Sequence, residues 1–175
     1  MNKPDIPTVN DELARKFRQV EARLGGCRSA AELFEELLAG IEAQFAVPFV
    51  WLSFIRRPET TALLKGLERS SFLADRLNSI AEASFQEIVP DCAIPLLAGG
   101  DLKRYFRLLP RSRKYFIRSL AVSPLLLGGT PIGSLNQGDS SPTRYEPGMD
   151  TTLLAHLTRC VSERLSRLLS PGGER

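Results

Sequence analysis

The sequence predicts an α+β domain with a mainly antiparallel central sheet, flanked by N- and C-terminal helices. Two amphipathic helical patterns open the chain and a third closes it, whereas the middle holds short runs rich in β-branched and aromatic residues. A Gly-Gly pair between two of those runs indicates a hairpin, and hence antiparallel strands. At 175 residues we expect a single domain over 11–170, with a flexible lead-in over 1–10 and a flexible tail over 171–175.

Two local signals place the first helices, and apolar stripes suggest how they pack. Asp11 can cap the first helix, which ends at 25–26, and Ser29 opens the second in an S-x-x-E capping box with Glu32. The first helix carries a short a/d stripe, too short to be stable alone, and the last helix carries a similar one. Unless both stripes are satisfied within one chain, we expect a homodimer with one of these helices at its two-fold interface. The candidate interface residues are Leu13, Phe17, Val20, Leu24, Leu154, Leu157, Val161 and Leu165.

The strand assignments follow from apolar runs bounded by turn residues. The interior strands are predicted at 49–55, 119–127 and 132–136, the last two joined by a hairpin at 128–129 that Thr130-Pro131 lengthens. The remaining elements are a weak paired strand over 61–67, a helix over 70–85, an extended edge segment over 87–97 and a final helix over 147–169.

Composition excludes several classes of function. A net charge of +3 is too small for a nucleic-acid binder, no apolar run approaches the roughly 20 residues of a membrane span, and the polar start is not that of a signal peptide. The expected location is therefore the cytoplasm. Cys27, Cys92 and Cys160 form no C-x-x-C pair and are expected to be free thiols. His156 is the single histidine, so we predict no metal site and no cofactor.

The C-terminal third carries a family resemblance. The strand over 119–125, the Gly-Gly hairpin, the Gly-containing strand over 132–136 and the turn over 144–147 before a leucine-rich helix resemble the closing half of GAF domains. Within that superfamily the chain is similar to an uncharacterised bacterial group of GAF-like proteins. The resemblance implies a GAF-like (profilin-like) sheet and a sensory role in signal transduction.

The function that this resemblance implies is a non-catalytic sensory or regulatory module. One alternative is a protein–protein interaction scaffold without a ligand. Another, less favoured, is a thiol-dependent enzyme like the branch of the superfamily that reduces free methionine sulfoxide. Cys27 and Cys160 belong to the terminal helices, away from the usual pocket, and Cys92 is followed by Ala93 and not by the histidine of bilin-binding members. We therefore predict no intrinsic turnover.

A basic run between Lys103 and Arg118 contains no acidic residue. It is interpreted either as a solvated loop whose arginine stems cover apolar surface, or as a lid that binds a small, anionic, partly planar ligand. In the second case an arginine grips the anion and aromatic side chains stack on its planar part. The candidate ligand residues are Trp51, Ser53, Tyr105, Phe106, Arg107, Arg118 and Asn136.

Overall fold

The computed structural model describes residues 6–170, and the side chains of residues 9–170. Residues 1–5 and 171–175, which include part of the predicted lead-in and the whole predicted tail, lie outside the described residues. The helices are α1 (Ile6–Leu24), α2 (Ala30–Phe45), α3 (Pro58–Leu67), α4 (Glu82–Ile88) and α5 (Thr152–Leu169). The strands are β1 (Phe49–Ile55), β2 (Leu77–Ile80), β3 (Leu96–Gly99), β4 (Ser119–Leu127) and β5 (Thr130–Asp139), and a 3₁₀ turn spans Lys103–Tyr105.

The five strands form one sheet in the order β2-β1-β5-β4-β3. β1 and β2 are parallel, and the three other pairs are antiparallel. This confirms the predicted fold class, an α+β domain with a mainly antiparallel sheet between terminal helices. The three predicted interior strands correspond to β1, β4 and β5, which occupy the middle of the sheet.

The β4–β5 hairpin turns at the predicted glycine pair. Gly128 and Gly129 have φ angles of 57° and 82°, a left-handed backbone that glycine adopts without steric cost. Leu127 pairs directly with Thr130, so the turn has two residues. The prediction that Thr130-Pro131 lengthens the turn was therefore wrong, because these two residues begin β5.

Residues 61–67 are helical, so the prediction of a strand there was wrong. Pro58 occupies the first turn of α3, where its missing N–H costs no hydrogen bond. The Thr60 hydroxyl accepts the backbone N–H of Arg57 at 3.0 Å and closes the start of the helix. These capping contacts outweigh the weak strand pattern.

The predicted helix over 70–85 is also wrong, because this stretch holds a turn, β2 and the beginning of α4. Leu73, Leu77 and Ile80 have helical spacing, which led to the prediction. Pairing with β1 decides otherwise: the N–H of Leu52 donates to Arg76 at 2.8 Å, and that of Arg56 to Ile80 at 2.9 Å. The predicted extended edge segment is likewise shorter than expected, since α4 runs to Ile88 and the edge strand β3 begins at Leu96.

One of the two predicted helix caps is present. The Ser29 hydroxyl accepts the Glu32 backbone N–H at 3.1 Å and caps α2. Asp11 lies inside α1, which already begins at Ile6, so its predicted capping role was wrong. The last helix was predicted to begin at Pro147, but it begins at Thr152. At this start the Asp150 carboxylate accepts the Thr152 N–H at 2.9 Å.

The terminal helices pack on each other; α2 and α5 cover one face of the sheet, and α1 packs on both of these helices. Phe17 is half-buried and Leu13 is 40% exposed. Most of both apolar stripes is therefore buried within one chain, and the homodimer stays a prediction. The buried members are Val20, Leu24, Leu154, Leu157, Val161 and Leu165.

Within residues 6–170, no helix combines the length and apolar character that a membrane span requires.

Candidate functional site

The opposite face of the sheet carries a second apolar cluster, closed by the segment that connects β3 to β4. Trp51 and Ser53 of β1 both reach the backbone of this segment. The Trp51 indole N–H donates to the Leu108 carbonyl at 2.7 Å, and the Ser53 hydroxyl donates to the same oxygen at 3.2 Å. Two predicted ligand-binding residues therefore hold the chain's own backbone.

Asn136, a third predicted ligand residue, belongs to the same buried network. Its side-chain amide donates to the Ser53 hydroxyl at 3.0 Å, and its carbonyl oxygen accepts the Ser134 hydroxyl at 2.8 Å. Asn78 of β2 also donates to Ser53, at 3.2 Å, and to the Leu108 carbonyl, at 3.3 Å. These polar side chains bind one another and the Leu108 carbonyl, and so anchor the covering segment.

The basic run lies over this face and borders a cavity of about 430 Å³. Phe106 and Arg107 line the cavity, and the Arg107 guanidinium donates to the Ser84 hydroxyl at 2.6 Å. Tyr105 packs, half-buried, on the apolar cluster beneath. The Arg118 side chain is exposed and lies outside this lining, although its backbone N–H donates to Asp139 at 2.8 Å.

The lining of this cavity is basic. Four cationic side chains border it, together with Asn78 and Ser84, and its lining within residues 9–170 contains no carboxylate. An anion would find several charged hydrogen-bond donors here. The four cationic residues are Arg56, Arg107, Arg111 and Lys114.

A second cavity, which we call the Cys92 groove, follows the free edge of β4. β3 pairs with β4 only as far as Val122, so the edge beyond it has no strand partner among residues 6–170. Two serines of α5 bind backbone N–H groups of that edge. The hydroxyl of Ser162 accepts the Leu126 N–H at 3.0 Å, and the hydroxyl of a second α5 serine accepts the Gly128 N–H at 3.2 Å. The space between this edge, the loop after α4 and α5 has a volume of about 460 Å³ and contains Cys92 in its lining.

Charged side chains of α5 line the same groove. Arg159, Glu163 and Arg167 follow one another at intervals of four residues, so they share one face of the helix. All three are exposed. The apolar part of the lining comes from β4 and from Ala155. The groove thus offers two cations, one anion, an apolar wall and one thiol.

The Cys92 thiol is half-buried, and its surroundings disfavour the thiolate. Burial, and next the charge of Asp91, raise the pKa of this thiol above its ordinary value. Cys27 is buried, which raises its pKa too, and it sits in the α1–α2 connection. Cys160 lies on α5 but does not line the Cys92 groove.

Cys160 takes part in a separate cluster between α1 and α5. The His156 Nδ1 atom lies 2.7 Å from the Glu21 carboxylate and 3.9 Å from the Cys160 sulfur. The three ligand atoms all lie within 4.8 Å of one another. The i,i+4 spacing of His156 and Cys160 was a visible signal, but nothing local points to Glu21.

A largely apolar cavity of about 560 Å³ lies where α1, α2 and α5 meet. Its lining includes four of the candidate interface residues, namely Leu13, Phe17, Leu154 and Leu157. The structure describes one chain, so this location leaves the predicted interface untested.

No protein-family model matches the chain, and no curated protein matches its sequence. A solved structure does resemble it: the free methionine-R-sulfoxide reductase from Neisseria meningitidis in complex with its substrate. The identity is 15%, the TM-score is 0.64, and the match covers 97% of each chain. At that identity the likeness shows the fold alone.

This comparison corrects several predictions. The structural neighbour is an enzyme, a methionine-R-sulfoxide reductase, and not an uncharacterised GAF-like protein. The predictions of a non-catalytic sensory module for signal transduction, and of no enzyme, are contradicted by this match. The alternative that the sequence favoured less, reduction of free methionine sulfoxide, is the activity that the name of this neighbour gives for the neighbour itself.

Proposed function

We propose that this protein is a thiol-dependent reductase of a small zwitterionic sulfoxide, with Cys92 as the reacting thiol. The observation that carries the proposal is the Cys92 groove, where a thiol shares one cavity with Arg159, Glu163 and Arg167. The shared fold with a free methionine-R-sulfoxide reductase supports the reaction class. Free methionine-R-sulfoxide is the first substrate to test.

The groove suits a free amino acid. The carboxylate of the amino acid would pair with Arg159 or Arg167, and its ammonium group would pair with Glu163, so both charges of the zwitterion find a partner. The apolar wall formed by Pro124 and Leu126 suits the methylene chain. A cavity of about 460 Å³ has room for a ligand of this size.

The chemistry needs one protein thiol and an external reductant. The Cys92 thiolate attacks the sulfoxide sulfur and forms a transient S–S bond, while the sulfoxide oxygen takes a proton from water. The oxygen then moves to the Cys92 sulfur as a hydroxyl group, and the S–O bond of the substrate and the S–S bond break, which leaves Cys92 as a sulfenic acid and releases the thioether. A low-molecular-weight or protein thiol then displaces water from the sulfenic acid and forms a mixed disulfide. A second thiol releases Cys92 as a thiol and leaves as the oxidised disulfide.

The second thiol is external because neither of the other cysteines lines the groove. Cys27 is 1% exposed and Cys160 lies beside His156. The three thiols are free. A cytoplasmic location is proposed with this function, since thiol pools there keep cysteines reduced and would supply the reductant.

The test measures methionine formed from free methionine-R-sulfoxide with dithiothreitol as the reductant. We expect turnover by the wild-type chain, the loss of turnover in Cys92→Ser, and its retention in Cys27→Ser and Cys160→Ser. Since thiolate is the nucleophile and the pKa of Cys92 is raised, the rate should increase with pH above neutrality. No turnover above the dithiothreitol background, or equal turnover in Cys92→Ser, would refute the proposal.

Substrate recognition has its own test. Arg159→Gln should raise KM about two- to fivefold with little change in kcat, since exposed ion pairs contribute about 0.2–1 kcal/mol. Arg104→Gln is a matched control, because Arg104 is exposed and its guanidinium donates to the Glu87 carbonyl, away from the groove. Equal effects of the two substitutions would show that the groove does not bind substrate.

A second candidate function is the binding of a small anion in the basic cavity. The four cationic side chains and the absence of carboxylates from its lining favour it. Adenosine monophosphate, an anion with a planar base, is the probe for isothermal titration calorimetry. Arg111→Gln should weaken binding, whereas Arg118→Gln should not, because Arg118 is outside the lining. Undetectable binding, or equal weakening by both substitutions, would rule the site out.

A further inference from the structure

Three side chains of different chemistry meet where α1 packs on α5. Glu21 comes from α1, and His156 and Cys160 come from neighbouring turns of α5. Glu21 is half-buried, and its carboxyl oxygen lies 2.7 Å from the His156 Nδ1 atom. The cluster does not border the Cys92 groove, and the proposed reductase chemistry makes no use of it.

The ligand set is selective. Calcium and magnesium take oxygen ligands, so a thiolate and an imidazole exclude them as the preferred ions. Sulfur, nitrogen and carboxylate oxygen together are the donors of zinc, which binds three protein ligands and leaves a fourth position open in many of its sites. The carboxylate oxygen and the imidazole nitrogen already lie 2.7 Å apart, so an ion there would reach both ligand atoms after small movements.

The distances suit a tetrahedral ion. Zinc–ligand bonds of about 2.0–2.3 Å place neighbouring ligand atoms about 3.4–3.6 Å apart. In the structure the sulfur–nitrogen distance is 3.9 Å, the nitrogen–oxygen distance is 2.7 Å, and all ligand atoms lie within 4.8 Å of one another. Shifts of about 1 Å or less would convert this arrangement into three zinc bonds, and small changes in the side-chain χ angles of the three residues supply shifts of this size.

We propose that Glu21, His156 and Cys160 bind one Zn²⁺ ion, which links the first helix to the last with its fourth position open to solvent. The link joins residues 135 positions apart in the chain, on two helices that pack against each other. Binding to the folded chain alone stabilises it by mass action. The ion would therefore raise the melting temperature.

The test uses the full chain after removal of metal with a chelator. Titration with Zn²⁺ in a calorimeter should give one ion per chain, and Co²⁺ as a spectroscopic probe should give a thiolate-to-cobalt charge-transfer band. Cys160→Ser should abolish the band, and His156→Gln and Glu21→Gln should each raise the Kd for Zn²⁺ at least about tenfold. Zn²⁺ should raise the melting temperature of the wild type and not that of Cys160→Ser.

Cys92→Ser is the matched control, because it removes a half-buried thiol from the Cys92 groove and should leave the cobalt band, the zinc stoichiometry and the Kd for Zn²⁺ unchanged. It also separates the two proposals, since it should abolish reductase turnover while zinc binding persists. Circular dichroism of metal-free Cys160→Ser and His156→Gln should match the wild type and show that both variants fold. No Zn²⁺ binding by the wild type, or a cobalt band that survives Cys160→Ser, would overturn the proposal.

Discussion

Ser53 is the centre of the buried network that holds the segment between β3 and β4, so Ser53→Ala is a sharp test of that network. Its hydroxyl is fully buried and donates to the Leu108 carbonyl. The Ser53 hydroxyl oxygen also accepts hydrogen bonds from the side-chain amide nitrogens of Asn78 and Asn136. The one hydrogen and the two lone pairs of this hydroxyl are therefore all used.

The magnitude follows from which groups lose a partner. The Leu108 carbonyl keeps the Trp51 indole and Asn78 as donors, and Asn78 keeps the Leu108 and Arg107 carbonyls. The Asn136 amide nitrogen has no other hydrogen-bond partner in the described residues, and Asn136 is fully buried. Leaving one buried donor unsatisfied costs about 1–3 kcal/mol, so we expect a loss of about 2 kcal/mol in the free energy of unfolding.

Urea denaturation followed by tryptophan fluorescence measures this loss, since Trp51 is the single tryptophan. With an m-value of about 2 kcal/mol/M, the midpoint should fall by about 1 M. Ser123→Ala is the matched control: Ser123 is also a fully buried strand serine, but its hydroxyl has no hydrogen-bond partner in the described residues. Removing that hydroxyl should leave stability unchanged or raise it. Equal midpoints for Ser53→Ala and Ser123→Ala would refute the network as the source of stability.

Three further predictions concern a thiol, a glycine and a helix cap. Asp91→Asn should speed alkylation of Cys92 by iodoacetamide at neutral pH, because the negative charge that helps raise the thiol pKa is gone; an unchanged pH profile of alkylation would contradict this. Gly133→Ala should destabilise the fold severely or prevent its formation, because a Cβ there would overlap a backbone carbonyl of β1. Soluble expression and circular dichroism report the outcome, and a native-like melting temperature would show that the two strands leave room for a Cβ. Ser29→Ala should lower the free energy of unfolding by about 1 kcal/mol, because the Glu32 N–H loses its hydrogen bond, whereas Ser29→Asp should retain the cap. A thermal melt measures both variants, and equal losses would mean that the side-chain oxygen is not the stabilising group.

Local signals account for the parts of the fold that could be predicted. The Ser29 cap, the glycines of the β4–β5 turn and the runs that became β1, β4 and β5 depend on neighbours within a few residues. Side-chain period and backbone preference act at that range, so the sequence alone indicates them. Residues 70–85 show the limit, because a helical spacing there was overruled by parallel pairing of β2 with a strand far away in the chain.

The candidate sites depend on contacts that no local pattern carries. Trp51, Ser53 and Asn136 were predicted to bind a ligand; Trp51 and Ser53 instead donate to the Leu108 carbonyl of the covering segment, and Asn136 donates to Ser53. That role depends on where the segment folds back onto the sheet. A side chain's donors can be read from the sequence, whereas its partner is chosen by packing.

What the sequence by itself determined about this protein is an α+β domain with a hairpin-centred sheet, two amphipathic terminal helices, three unpaired cysteines and one histidine. Only the tertiary structure decided which of these groups meet. It placed Cys92 in a groove with charges from α5, and it placed Glu21 against His156 from the other end of the chain. The physical reason is range: helical and strand periods, caps and turns are set by residues a few positions apart, whereas a site requires groups that only the closed core brings within bonding distance.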